Sequence, residues 1–181
     1  MPSSLLYCRP CQSKGAGMEL VDVVDEKNQA VRIAPRDEVR RDNLAHRATY
    51  ILVRRGDGRV VVQRRTLSKD FCPGMLDACC GGVVSAGEQY DESALRELGE
   101  ELGIVGVPLE GFGTFHAKGE NYHVWGGLYL CTYDGALILQ EEEVAAVLEL
   151  TLDEIAGRAA EFTPDSLIAI EALRQRGAFS R

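Results

Sequence analysis

The segment that most limits what this chain can fold into is residues 91–102, DESALRELGEEL, the strongest helical signal in the sequence. Ala94, Leu95, Leu98 and Leu102 recur at helical spacing, and Gly103 follows where a C-cap glycine belongs. At about 100° per residue, Glu97, Glu100 and Glu101 fall within roughly 100° of arc beside that apolar stripe. Like charges at these spacings destabilise a helix by a few tenths of a kcal/mol per pair, so a purely structural role explains them poorly. A hard divalent cation reverses the sign, because Mg2+ prefers carboxylate oxygens, keeps several waters and bridges to substrate phosphates. Glu88, in the loop before the helix, can fold back onto the same site, with Arg96 as its ion-pair partner. The competing reading is a solvated acidic face.

The flanking sequence sets the architecture. Residues 20–24 alternate as a short strand, followed by a turn at 25–28 and a hairpin. Residues 50–53 and 60–63 are β-branched runs separated by a loop whose Gly56 and Gly58 suit a reversal. Residues 109–115 and 124–131 read as strands joined by a polar loop at 117–122, and 143–150 as one more. Residues 151–160 and 164–176 read as helices, the first opened by Thr151 with Glu154 three positions on, the second by Thr163 and Pro164. Strands, helix, strands and helices in that order predict an α/β fold with a mixed sheet and helices on its faces. Residues 1–17 mix Pro, Ser, Gly and Lys without periodicity and read as a loose tail; residues 18–181 are long enough for one domain and short for two.

Composition narrows the partners. Twenty Lys and Arg against 28 Asp and Glu leave a net charge of −8, so no bulk positive field exists to hold long DNA or RNA. A small anion needs a local basic pocket or a metal ion. The longest apolar run is five residues, 144–148, far below the roughly 20 that span a bilayer, so no membrane association is expected. Without a secretory segment, the expected location is the cytoplasm, where the six cysteines stay reduced and pack as small hydrophobes. Cys8 and Cys11 have half the spacing of a zinc site, but no second pair follows and they read as incidental.

Residues 82–104, GVVSAGEQYDESALRELGEELGI, fit the pattern G-x(5)-E-x(7)-R-E-U-x-E-E-x-G-U, with U a bulky aliphatic residue. Gly82, Glu88, Arg96, Glu97, Leu98, Glu100, Glu101, Gly103 and Ile104 fill it without a gap. On these residues the chain is identified as a member of the Nudix hydrolases. The stretches 61–65 and 73–77 resemble the YfcD-like subgroup, and the resemblance runs over about residues 18–176. It implies a Nudix α/β/α sandwich in which the motif forms loop, helix and loop. It also implies a divalent metal, Mg2+ with Mn2+ as its substitute, held by Glu97, Glu100 and Glu101, with Glu88 and Arg96 shaping the site. The activity it implies is water attack on phosphorus in a small molecule that carries a diphosphate, nucleotide or otherwise. Glu100 is then the candidate general base, with Glu120 or residues 141–143 as alternatives; the reading leaves room for a homodimer.

A second comparison concerns residues 64–69, RRTLSK, and Pro73-Gly74, which also resemble isopentenyl-diphosphate isomerase, a metal enzyme of the same fold. On that pattern Cys80 matches a catalytic cysteine and His46 a metal-binding histidine. Gly82 stands where the isomerase has a further metal histidine, and His123 replaces its catalytic glutamate, so the proton transfer loses half its machinery. Arg65 and Lys69 match the positions that contact diphosphate there and are the candidate substrate-binding residues. A third reading is a binding module without turnover. Retention of every acid in the motif speaks against it. His46, His116 and His123 have no spacing that demands a metal, and Trp125 reads as a core residue.

Overall fold

The computed structural model describes residues 19–180; the tail reading for residues 1–17 and the Cys8/Cys11 pair fall outside them. The described residues open with the hairpin β1 (Leu20–Val24) and β2 (Ala30–Pro35), followed by a short six-residue helix α1 (Arg36–Arg41). Next come β3 (His46–Arg54), β4 (Val60–Arg65) and a two-residue strand β5 (Leu76–Asp77). Helix α2 (Tyr90–Leu102) precedes β6 (Glu110–Lys118), β7 (His123–Thr132) and β8 (Val144–Leu150). Helix α3 (Leu152–Gly157), a 3-10 turn (Ala159–Glu161) and helix α4 (Pro164–Gln175) close the chain.

Strand β3 is the hinge of an eight-stranded mixed sheet. It runs parallel to β7 over its whole length, from His46 opposite Val124 to Arg54 opposite Thr132, and meets β4 only at Arg54 opposite Val60. Strands β3 and β4 therefore splay apart. One arm carries β7 and β6, the other β8 and β5. Alternation along β3 feeds two cores. Ile51 and Val53 face α2, packing with Ala94, Leu98, Leu102 and Ile104. Tyr50 and Leu52 face α4, packing with Leu128, Ala169 and Leu173. Helices on both faces of the sheet make the α/β/α sandwich expected from the sequence.

Several boundaries differ from the sequence reading for identifiable reasons. Helix α2 starts one residue early because Gln89 and Glu92 form a capping box ahead of Tyr90. Leu95, expected in the apolar stripe, is 50% exposed. The buried face of α2 is instead centred between Ala94 and Glu101, because Glu97 and Glu101 turn inward and are only 6% and 3% exposed; Leu95 falls just beyond its edge. Strands β6 and β7 extend to Lys118 and His123 through their pairing, which shortens the loop to four residues, 119–122. The helix expected over 151–160 stops at Gly157 and tightens into the 3-10 turn. Thr151 caps α3 as expected, accepting from the Glu154 amide, whereas the Thr163 side chain makes no capping bond and donates to Ser166 Oγ.

Candidate active site

The loop between β5 and α2 and the inward face of α2 build the site. Arg96 lies at its centre. Its Nε and Nη2 donate to the two oxygens of Glu88 at 2.8 and 3.0 Å, and its Nη1 reaches Glu97 and, at 3.3 Å, Glu100. Glu88 Oε2 also accepts the Ser85 amide at 3.0 Å, which ties the loop to the helix. Burial works to raise the Glu88 carboxyl, but the Arg96 and Ser85 hydrogen bonds outweigh it and hold its pKa below the usual range. The same Glu88 bonds hold the Arg96 guanidinium firmly charged, against its own burial.

Glu101 lies deeper. Its Oε2 accepts Gln63 Nε2 at 3.0 Å and the Gly81 amide at 3.2 Å. Burial, with the charge of Glu97 adding to it, pushes its pKa up to about 7. Two adjacent glycines let the loop approach this closely. A Cβ on Gly82 would stand 2.8 Å from the Glu97 carboxyl carbon, and one on Gly81, whose φ is +145°, would lie 2.1 Å from the Thr49 carbonyl oxygen. The four glutamates form an oxygen-rich set, with Glu101 a buried carboxylate whose charge is incompletely compensated, which suits a hard cation such as Mg2+. Among the described residues no cluster of three His, Cys, Asp or Glu is already arranged around a metal position; Arg96 occupies the space between the glutamates.

Across the Gly81–Gly82 wall lies a partly open cleft of about 60 Å³. Arg65 and Lys69 both line it. Arg65 donates to the Phe71 carbonyl at 3.0 Å and to Asp77 Oδ2 at 3.1 Å, while Lys69 pairs with Glu143. Burial raises the Asp77 pKa to about 6, partly offset by Arg65 and reinforced by Asp165. The cleft also holds residues the sequence reading did not select: Arg36 and Arg40 of α1, Phe71, and the pair formed by the Tyr50 hydroxyl donating to Asp165 at 2.8 Å.

The residues of the isomerase comparison are arranged otherwise. Cys80 is 2% exposed, packs in the α2 core and donates to the Glu97 carbonyl at 3.7 Å; burial beside Glu101 pushes its thiol pKa well up, away from thiolate chemistry. His46 does line the cleft, but burial lowers its pKa to about 4 and Nδ1 sits 2.9 Å from the Leu44 carbonyl. His116 and His123 meet at 3.1 Å on the β6–β7 surface, with His116 stacked on Trp125, which is half-buried rather than in the core. Cys72, Cys79, Cys80 and Cys131 are free thiols, and all but Cys72 are buried.

Comparison with known proteins identifies the family and the fold. The NUDIX domain family matches residues 44–171. The Nudix hydrolase YfcD of Escherichia coli K12 is 51% identical over 167 residues, 92% of this chain and 93% of that protein. A Nudix hydrolase of Pseudomonas aeruginosa is 40% identical over 156 residues, 84% of this chain and 91% of its own. Among solved structures, DR0079 from Deinococcus radiodurans superposes with a TM-score of 0.74 at 24% identity, over 86% of this chain and 98% of its own. The NUDIX domain of Shewanella oneidensis NrtR, solved in complex with ADP ribose, superposes with a TM-score of 0.60 at 20% identity, over 72% and 86%. The shared fold, the complete motif and the identity over nearly the whole chain assign this protein to the Nudix hydrolase family, in the group that contains YfcD.

Proposed function

We propose that the protein hydrolyses a diphosphate linkage in a small metabolite at the junction of the α2 glutamates and the cationic cleft. The supporting observation is that a single wall, Gly81–Gly82, touches Glu97 and Glu101 on one side and lines the cleft on the other. Glu97, Glu100 and Glu101 would hold a divalent cation, Mg2+ or Mn2+, which supplies Lewis-acid neutralisation of phosphate oxygens when bound. Glu88 fixes Arg96, and Arg96 aligns Glu97 and Glu100. Glu100 is the most accessible of the three, its side chain 31% exposed, and can accept a proton from attacking water. Water oxygen bonds to phosphorus, the bridging P–O bond breaks, and one proton passes to Glu100. Because the protein carries a net −8, its anionic substrate depends on local cations.

Arg65 and Lys69 supply part of that local charge. A charge-assisted contact to phosphate is worth about 1.5–3 kcal/mol, so losing one raises KM by roughly 10- to 150-fold with little change in kcat. Arg65→Ala also strands the buried Asp77, so Lys69→Ala is the cleaner variant, its partner Glu143 being partly exposed. Steady-state kinetics at low salt on the best substrate of a diphosphate panel measure the effect. An unchanged KM in the Arg65→Ala, Lys69→Ala double variant would mark both as structural.

The isomerase alternative makes the opposite demand on Cys80. With its thiol buried in the α2 core, Cys80→Ala keeps most of the hydrolytic activity. Conversion of isopentenyl diphosphate to dimethylallyl diphosphate by the wild type, abolished in Cys80→Ala, is the result that overturns the hydrolase reading.

A further inference from the structure

The cationic side chains of the cleft fall into two tiers. Arg65 and Lys69 each have a carboxylate partner of their own, Asp77 and Glu143. Arg36 pairs with Glu19 at 2.8 Å, and Arg36 and Arg40, one turn apart on α1, also share Asp70 at 3.9 and 3.5 Å, too long for good hydrogen bonds. The Nε atoms of both arginines are buried without a hydrogen-bond partner. The Arg40 guanidinium lies 5.1 Å over the Phe71 ring, a contact that fixes its plane. Asp70 is half exposed and sits on the loop that also carries Lys69, so it is a displaceable counter-ion.

Two half-buried like charges at i, i+4 on a six-residue helix repel each other; Glu19 offsets Arg36 at 2.8 Å, while Arg40 has the longer contact to Asp70. Burial and the charge of Arg36 both push the Arg40 pKa down. Helix α1 lies outside residues 44–171, which match the NUDIX domain family, but within the stretch shared with YfcD.

We infer that Arg36 and Arg40 form a subsite for a phosphate monoester on the substrate, separate from its scissile diphosphate. Two guanidiniums whose common contact, Asp70, is displaceable match a dianionic phosphoryl group, with its three acceptor oxygens, better than a carboxylate. The inference rests on the hydrolase reading for the diphosphate itself, and names the substrate class as diphosphates that bear a further phosphoryl group.

Two measurements on the full chain test it separately from that reading. In EDTA, calorimetric titration with orthophosphate gives binding that Arg36→Gln and Arg40→Gln each weaken by about 10-fold or more, Arg40→Lys by less; melting curves check that the variants are folded. With Mg2+, kcat/KM is compared within pairs that differ by one monoester: ADP-ribose with its 2′-phosphate, and dephospho-coenzyme A with coenzyme A. The phosphorylated member is favoured by about 10-fold or more in at least one pair, and Arg40→Gln collapses that ratio through KM. Orthophosphate binding that is absent or indifferent to both arginines overturns the subsite. So does hydrolysis without preference in every pair. If no diphosphate is hydrolysed while arginine-dependent phosphate binding persists, the catalytic reading falls and the subsite stands.

Discussion

Gly81→Ala lowers the thermal midpoint by roughly 10 °C, the largest stability effect expected of a single methyl group in this protein. The added Cβ would sit 2.1 Å from the Thr49 carbonyl oxygen and 2.8 Å from its carbon, and Gly81 has a φ of +145°. Thr49 lies in the middle of β3, paired with Gly127 of β7, so the obstacle is central-strand backbone that cannot step aside. Overpacking and backbone strain together cost about 3–5 kcal/mol. The neighbouring Gly82→Ala behaves differently. Its Cβ meets the Glu97 carboxylate, a side chain that can swing away, so the fold persists while Glu97 leaves its position and turnover falls. Denaturation and kinetics on the two variants separate these outcomes; equal melting temperatures would refute the assignment of Gly81 as the strained wall.

Glu101→Gln lowers kcat/KM by about 100-fold or more at low Mg2+ and preserves the fold. Loss of an outer-shell partner of a metal site costs about 10- to 100-fold, and a direct ligand lies at or above that range. The amide oxygen can still accept Gln63 and the Gly81 amide, so the local structure survives the change. The same variant has a pH signature without metal. The Glu101 pKa is raised to about 7 in the folded protein, above its ordinary carboxylate value of 4.5. The folded state therefore holds a proton that the unfolded chain has lost, and the Glu101 contribution to stability declines as pH rises from about 4.5 through 7. Glu101→Gln removes that decline: in EDTA it melts above the wild type at pH 8 and with it near pH 4. A Glu101→Gln variant that gains nothing on the wild type between pH 4 and pH 8 contradicts the buried, uncompensated carboxylate.

The parts of the fold that were legible in the sequence are those dictated by local periodicity. The β-branched runs of β3 and β4, the helical spacing of α2 and its left-handed Gly103, with φ +67°, all express short-range preferences. The Glu88–Arg96 pair was legible too, because one loop residue and one helix residue eight apart had only one site to share. Helix α1 was not, since it has six residues with Val39 alone buried, too little to register as a period. Its arginines join the cleft only through tertiary packing, as do Tyr50 and Asp165, which bond across 115 positions of sequence. The Leu95 misreading has the same origin: spacing alone counts glutamates as outward-facing, and here the site turns two of them into the core.

Release of phosphate-containing products from a panel of nucleoside and sugar diphosphate derivatives, with Mg2+ and with EDTA, tests the central claim most directly. Hydrolysis of at least one member is expected in Mg2+ and of none in EDTA, with that activity lost in Glu97→Gln and Glu101→Gln while the fold stays intact. Hydrolysis that continues undiminished in EDTA, or in both variants at low Mg2+, would contradict it.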